Sequence, residues 1–129
     1  MLKRDFIMVQ IEELGKVIAQ LVSQRETGAT RRIPEQIQVV YDSLKLNRDF
    51  LMDALPDALL LSLESDDRGG MLRMEIAAKA LIEESYLYPG QRQQNMLQRA
   101  GVLLEYIQSN DKTFSLERLS LIENIRQIQ

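Results

Sequence analysis

An apolar stripe at helical spacing near the start of the chain is the feature that most limits the fold. The residues Ile7, Ile11, Leu14, Ile18 and Leu21 follow one another at steps of four, three, four and three. This spacing places side chains on one side of an α-helix. The sequence therefore predicts a helix over about 4–24, although two such heptads are too few for a coiled coil.

Five further helical segments are separated by glycine, proline and polar residues. They cover about 34–44, 56–63, 71–87, 91–108 and the residues after 115. The stretch 46–55 is interpreted as an ordered connection with about one helical turn, and no alternating run typical of a β-hairpin is present in the sequence. The 129 residues are predicted to form a single domain, residues 1–129, that is all-α with five to six helices. We expect a tetratricopeptide-like helical stack or an irregular bundle.

The last of these helices has a clear start signal. Ser115 is expected to be its N-cap, because a serine hydroxyl can accept a hydrogen bond from the first free backbone N–H groups. The apolar spacing predicts that Leu116, Leu119, Ile122 and Ile125 face the core.

Composition removes most catalytic chemistry. The chain contains no Cys, His or Trp, so it has no thiol nucleophile, no imidazole base and no histidine or cysteine metal site. Glycine loops that bind nucleotides and calcium loops are also missing from the sequence. We therefore expect no catalytic residue, no metal and no cofactor, and a protein that is not an enzyme.

The width of the first helix's apolar face predicts a binding surface. Phe6 and Val17 widen the stripe on one side, and Met8 and Val22 widen it on the other. The apolar arc then covers about half of the helix circumference, which is more than one neighbouring helix covers. We expect these four residues to bind a protein partner, or a second copy of the chain to form a homodimer. The predicted function is a non-catalytic protein-interaction or assembly module.

An interior carboxylate supports an alternative function. Glu83 falls within the apolar stripe of Leu72, Ile76, Ala80 and Leu87. A carboxylate in such surroundings can acquire a perturbed pKa and a chemical role. The alternative is thus a small-molecule-binding or enzymatic helical bundle that uses Glu83.

Three arginines, Arg25, Arg31 and Arg32, flank the first loop and are candidate anion-binding residues. They also suggest a nucleic-acid accessory protein as a third hypothesis. The pI of about 5.0 and an aromatic content of 5% are unlike those of nucleic-acid modules, which present a basic face with stacking aromatics. We expect no nucleic-acid partner.

Charge is unevenly distributed along the chain. Residues 1–48 carry eight bases and six acids, whereas residues 49–129 carry eight bases and thirteen acids. Between Asp49 and Asp67 there are six acids and no Lys or Arg. This asymmetry favours either a solvated acidic face or a head-to-tail contact. No apolar run has the length of a signal peptide or a membrane span, so we expect a cytoplasmic protein without a membrane partner.

Several segments resemble a known family. The opening residues 1–7, the segment Ile11-Glu12-Glu13-Leu14, and the stretch 44–63 with Leu46, Asp49-Phe50-Leu51 and Leu59-Leu60 are similar to a family of uncharacterised bacterial helical proteins, a domain of unknown function. The Ala- and Leu-rich fourth segment fits the same family. The resemblance implies a tetratricopeptide-like all-helical fold and transfers no activity, cofactor or functional residue.

Overall fold

A computed structural model of the chain describes residues 2–64 and 69–128, with side chains from residue 8 onward. Over these residues it contains seven helices and no strand, so the all-α prediction is confirmed. The helices are α1 (Leu2–Thr27), α2 (Ile33–Ser43), α3 (Arg48–Asp53), α4 (Pro56–Leu63), α5 (Gly70–Ser85), α6 (Gln91–Asn110) and α7 (Leu116–Ile128). None of the described helices has the length and apolar character needed to cross a bilayer.

The count of five to six helices was too low because the connection over 46–55 contains α3. The side chain of Asn47 accepts hydrogen bonds from the backbone N–H of Asp49 at 2.8 Å and of Phe50 at 3.2 Å, which caps the start of α3. At the other end, Arg99 of α6 donates from Nε to the carbonyl of Leu51 at 2.7 Å. The six-residue helix α3 is thus held by side-chain hydrogen bonds to its backbone, from Asn47 at its start and from Arg99 in its second half.

Helix α5 lies at the centre of the fold and packs against α1, α2, α4 and α6. Ala77, Ala78 and Ala80 are fully buried, and these small side chains let neighbouring helices approach closely. The short connection between α5 and α6 makes them antiparallel neighbours. Gly90, at the start of α6, has a φ of 104°, a backbone conformation that side chains disfavour.

Helix α1 carries its predicted stripe into the core, where Leu14, Ile18 and Leu21 are buried. With 26 residues it is about 39 Å long, whereas α2, with 11 residues, is about 16 Å long. Gly15 lies in the middle of α1 and is exposed, with open space where a Cβ would stand. The shorter α2 therefore covers only part of α1.

Helix α7 begins as predicted but buries a different face. Ser115 Oγ accepts a hydrogen bond from the backbone N–H of Arg118 at 3.1 Å, which confirms the N-cap. Ile122 and Ile125 are buried as expected, but Leu116 and Leu119 are exposed. Arg118 occupies the buried face one turn before Ile122, because its charge is balanced by carboxylates inside the fold.

Candidate functional site

Two adjacent buried carboxylates near the end of α5 are each paired with an arginine from another helix. Glu83 accepts two hydrogen bonds from Arg25 of α1, from Nε at 2.8 Å and from Nη2 at 3.3 Å. Glu84 accepts from Nη2 of Arg48 at 2.7 Å and from the Tyr41 hydroxyl at 2.9 Å. Adjacent helical residues point about 100° apart, so the two carboxylates serve different neighbours. Both oxygens of Glu83, the candidate interior carboxylate, are thus occupied by Arg25.

Arginine side chains around this site also stack on tyrosine rings. The guanidinium carbon of Arg25 lies 4.3 Å from the ring centre of Tyr86, and that of Arg92 lies 3.6 Å from the ring centre of Tyr88. The guanidinium carbon of Arg48 lies 5.1 Å from the ring centre of Tyr41, which binds the same Glu84. These are cation–π distances. The pair of Arg25 and Tyr86 could not be recognised from the sequence, because the two residues are 61 positions apart, whereas Arg92 follows Tyr88 by four residues and Arg48 follows Tyr41 by seven.

The ion pairs fix the charge states of this region. The hydrogen bond to Glu83 raises the pKa of Arg25, and the hydrogen bond to Glu84 raises the pKa of Arg48. Burial, followed by the charge of Glu84, raises the pKa of Tyr41. Near neutral pH the arginines are charged and the phenol is neutral, so the arrangement joins α1, α2 and α3 to α5 by ion pairs and hydrogen bonds.

The candidate anion-binding arginines are separated in the structure. Arg31 and Arg32 line an open cleft of about 450 Å³ with Gln24 and Thr30. Neither arginine forms an ion pair within the described part of the chain. Arg25, in contrast, is directed at Glu83. Of the three predicted anion-binding residues, only Arg31 and Arg32 share a cleft, so the anion-binding prediction now rests on these two.

The four residues predicted to bind a protein also occupy different environments. Met8 is 44% exposed, and its neighbour Val9, which the sequence reasoning did not include, is 55% exposed. Val17 is half-buried against the core, and Val22 lines a crevice of the fold. Phe6 lies outside the described side chains. In the part of α1 whose side chains the structure describes, from residue 8 onward, Met8 and Val9 are the exposed large apolar residues.

The crevice at Val22 lies between α1, α5 and α7. Its other apolar walls are Ile18, Ile82 and Leu121, and its volume is about 80 Å³. At its edge Lys79 Nζ lies 2.5 Å from Glu117 Oε1. Ligand pockets usually measure about 300–1,000 Å³, so this crevice has room for little more than one small apolar group.

Helix α4 presents an apolar surface between acids. Leu61 is 76% exposed, and the exposed Asp57 and Glu64 lie four residues before it and three residues after it. Helical spacing places Asp57 and Leu61 on one side of α4, whereas Oε2 of Glu64, the C-cap residue, lies close to Gly70 of α5. Leu55, which precedes α4, is 75% exposed.

Among the described residues no group of three or more acidic side chains could hold a metal ion. Comparisons of the chain with protein-family models, with curated proteins and with solved structures gave no match. The resemblance to uncharacterised bacterial helical proteins therefore stays a prediction.

Proposed function

We propose that this chain is a non-catalytic protein-interaction or assembly module of the cytoplasm, built as a tetratricopeptide-like helical stack. Its binding surface includes Met8 and Val9 of α1, and the partner is a protein, with a second copy of the chain as the first candidate. The observation that carries the proposal is the exposure of the adjacent apolar residues Met8 and Val9.

The length of α1 explains why these residues are exposed. The first side chain of α1 that is described as buried is Leu14, and α2 reaches the level of Gln10, whose Nε2 lies 3.4 Å from the carbonyl of Ser43. Met8 and Val9 precede that contact. Burial of apolar surface stabilises a complex by about 25 cal/mol per Å². A partner that covers Met8 and Val9 therefore makes the free energy of binding more favourable.

The state of Glu83 favours this proposal over the enzymatic bundle. A general acid or base must be able to reach a substrate proton. The two Glu83 oxygens are bound by Arg25, and the crevice beside Glu83 has a volume of about 80 Å³. These contacts support a structural role for Glu83, which joins α1 to α5.

The experiment is a measurement of molar mass by light scattering over a range of micromolar concentrations. We expect the wild-type mass to rise above the monomer mass of 14.9 kDa with concentration. The double variant Met8→Glu/Val9→Glu should stay closer to the monomer, because two carboxylates replace the apolar contact. Val39→Glu is the matched control, since Val39 of α2 is as exposed as Val9. A wild-type protein that remains a monomer throughout this range contradicts self-association through α1.

An anion-binding function is the second candidate, and the cleft of Arg31 and Arg32 favours it. Two exposed guanidinium groups without carboxylate partners in the described part of the chain can both bind a phosphate or an acidic side chain. Titration with inorganic phosphate, followed by NMR shifts of the cleft residues, tests this function. The variant Arg31→Gln/Arg32→Gln should abolish the shifts, and shifts that persist in it rule the cleft out.

A further inference from the structure

We infer that the cleft of Arg31 and Arg32 binds a carboxylate that carries an amide N–H on its α-carbon. A free acylated amino acid and the last residue of a polypeptide both have this chemistry. The inference rests on the anion-binding function proposed for the same cleft and adds the chemical class of the ligand.

A buried oxygen without a hydrogen-bond partner borders this cleft. Gln24, near the end of α1, lines the cleft together with Thr30, Arg31 and Arg32. Its Oε1 is buried and accepts no hydrogen bond from the part of the chain that the structure describes. Buried polar atoms are normally paired, because an unpaired acceptor costs free energy. The last torsion of a glutamine side chain is soft, so Oε1 can turn to a donor that enters the cleft.

The two arginines provide the other half of the site. Arg31 and Arg32 are exposed, and neither forms an ion pair among the described residues. A guanidinium can donate two parallel hydrogen bonds to one carboxylate. The cleft has a volume of about 450 Å³, so a single ligand can contact an arginine and Gln24 together. Such a ligand must present an acidic group and an N–H donor close to each other.

This requirement distinguishes between kinds of anion. A phosphate group near neutral pH presents mainly acceptor oxygens, which would face the lone pairs of Gln24 Oε1. A simple carboxylate such as acetate also brings no donor. An amide N–H on the α-carbon of the carboxylate supplies the missing donor next to the acid, so the arginines and Gln24 are satisfied by the same ligand.

Two ligands that differ at one position test the inference on the full chain. N-acetyl-L-alanine carries the N–H, and O-acetyl-L-lactate has an ester oxygen in its place. Titrations followed by the NMR shifts of residues 28–32, which line the cleft, give both dissociation constants. We expect N-acetyl-L-alanine to bind about fivefold more tightly, which corresponds to about 1 kcal/mol for one hydrogen bond.

Gln24→Met removes the acceptor and keeps an unbranched side chain, so both ligands should bind this variant equally. Gln36→Met is the matched control. Oε1 of Gln36 is also buried without a partner among the described residues, but Gln36 does not line this cleft, so the fivefold preference should remain. Arg31→Gln/Arg32→Gln should weaken both ligands at least about tenfold. Circular dichroism and urea unfolding establish that each variant is folded.

A third ligand distinguishes the two sources of this chemistry. Acetyl-alanyl-alanine extends the same carboxylate and N–H by one residue of polypeptide. Tighter binding than that of N-acetyl-L-alanine identifies the end of a polypeptide as the ligand, and weaker binding identifies a free acylated amino acid. The C-terminal amide of the same dipeptide should not bind, since it lacks the negative charge.

The outcomes separate the inference from the anion-binding function. If phosphate and both carboxylates bind through the arginines but the two carboxylates bind equally, the inference is wrong and anion binding stands. A preference for N-acetyl-L-alanine that persists in Gln24→Met also overturns the inference. If none of these ligands shifts the cleft residues of the wild type, the inference and the anion-binding function both fail.

Discussion

Arg118 of α7 donates from Nε to Oε1 of Glu75 on α5 at 2.7 Å, although the arginine is only 4% exposed. Its other nitrogens reach Gln108 Oε1 at 2.9 Å and Asp111 Oδ2 at 3.2 Å. A planar guanidinium carries five N–H donors, which suits it to several acceptors at once. Arg118 therefore connects α7 to α5, to α6 and to the loop that follows α6.

Replacement of Arg118 by methionine should destabilise the protein strongly. Methionine keeps most of the aliphatic stem but removes the guanidinium from Asp111 and from Glu75, of which Glu75 keeps Lys79, with Nζ 3.4 Å from its Oε2. Removal of one partner from a buried ion pair costs about 3–5 kcal/mol. Glu75 and Asp111 retain some solvent contact, so we expect a loss of about 2–4 kcal/mol in the free energy of unfolding, measured by urea denaturation.

Arg126→Met provides the matched control on the same helix. Arg126 pairs with Glu105 at 2.6 Å, but both side chains are exposed. Exposed pairs contribute about 0–1 kcal/mol, so this variant should unfold near the wild-type midpoint. Equal losses for the two variants would contradict a special role for the buried arginine.

Gly15→Ala should stabilise the protein. Gly15 lies in the interior of α1, and an added Cβ meets nothing within 4 Å. Alanine is favoured over glycine in a helix interior by about 0.5–1 kcal/mol, and we expect a gain of that size in thermal or urea unfolding. A loss of stability would show that residue 15 is contacted by a partner or another part of the chain.

Gly70→Ala is the contrasting substitution. There the added Cβ would stand 2.5 Å from Oε2 of Glu64 and 2.8 Å from Cδ1 of Leu60. Both atoms are the far ends of flexible side chains, which can turn away at small cost. That cost offsets part of the better helix propensity, so we expect a smaller gain in the free energy of unfolding than for Gly15→Ala. A large loss of stability would show that Glu64 and Leu60 cannot move from the contact between α4 and α5.

The elements that could be predicted from sequence are those set by local rules. Leu14, Ile18 and Leu21 form a stripe by spacing alone, and Ser115 caps α7 because its hydroxyl is close to free backbone groups. Arg118 could not be assigned to the core by such rules, since its burial depends on Glu75, which is 43 residues away. Because the ion pairs of Arg118 turn its side of α7 toward the core, Leu116 is left exposed.

The candidate site was less predictable for the same physical reason. The first-helix residues were chosen from the width of an apolar arc, but only the packing of α2 and α5 decides which of them stay exposed. Val17 and Val22 lie against the body of the protein, whereas Met8 does not. Glu83 was a candidate because of its apolar stripe, and its partner Arg25 is 58 residues away.

Stability should fall at alkaline pH in a way that depends on Tyr41. Burial raises the pKa of this phenol, with the charge of Glu84 as a further cause. The unfolded tyrosine has a pKa of about 10. Below that pH both states hold the proton and the contribution of Tyr41 is fully present. Above it the unfolded state loses its proton first, so stability falls by about 1.4 kcal/mol per pH unit.

Urea unfolding at a series of pH values up to about 11 measures this dependence. In Tyr41→Phe the hydroxyl is absent, so the alkaline loss should be smaller, while stability near neutral pH drops by about 1 kcal/mol because a hydrogen bond to Glu84 is lost. Tyr86→Phe is the control, since Tyr86 is exposed. An unchanged alkaline slope in Tyr41→Phe would contradict this assignment.

The pair of Arg25 and Glu83 should behave as a coupled structural unit. A double-mutant cycle with Arg25→Gln, Glu83→Gln and the combined variant isolates the interaction between the two side chains. Glu83 is buried and Arg25 is about one-third exposed, so we expect each single variant to be destabilised and the double variant to lose less than the sum. The coupling should be about 1–2 kcal/mol.

The matched cycle with Lys16 and Glu13, an exposed pair at 3.3 Å, should give a coupling below about 0.5 kcal/mol. If Glu83→Gln alone leaves stability unchanged, the carboxylate does not hold α1 against α5, and the interior-carboxylate function regains support.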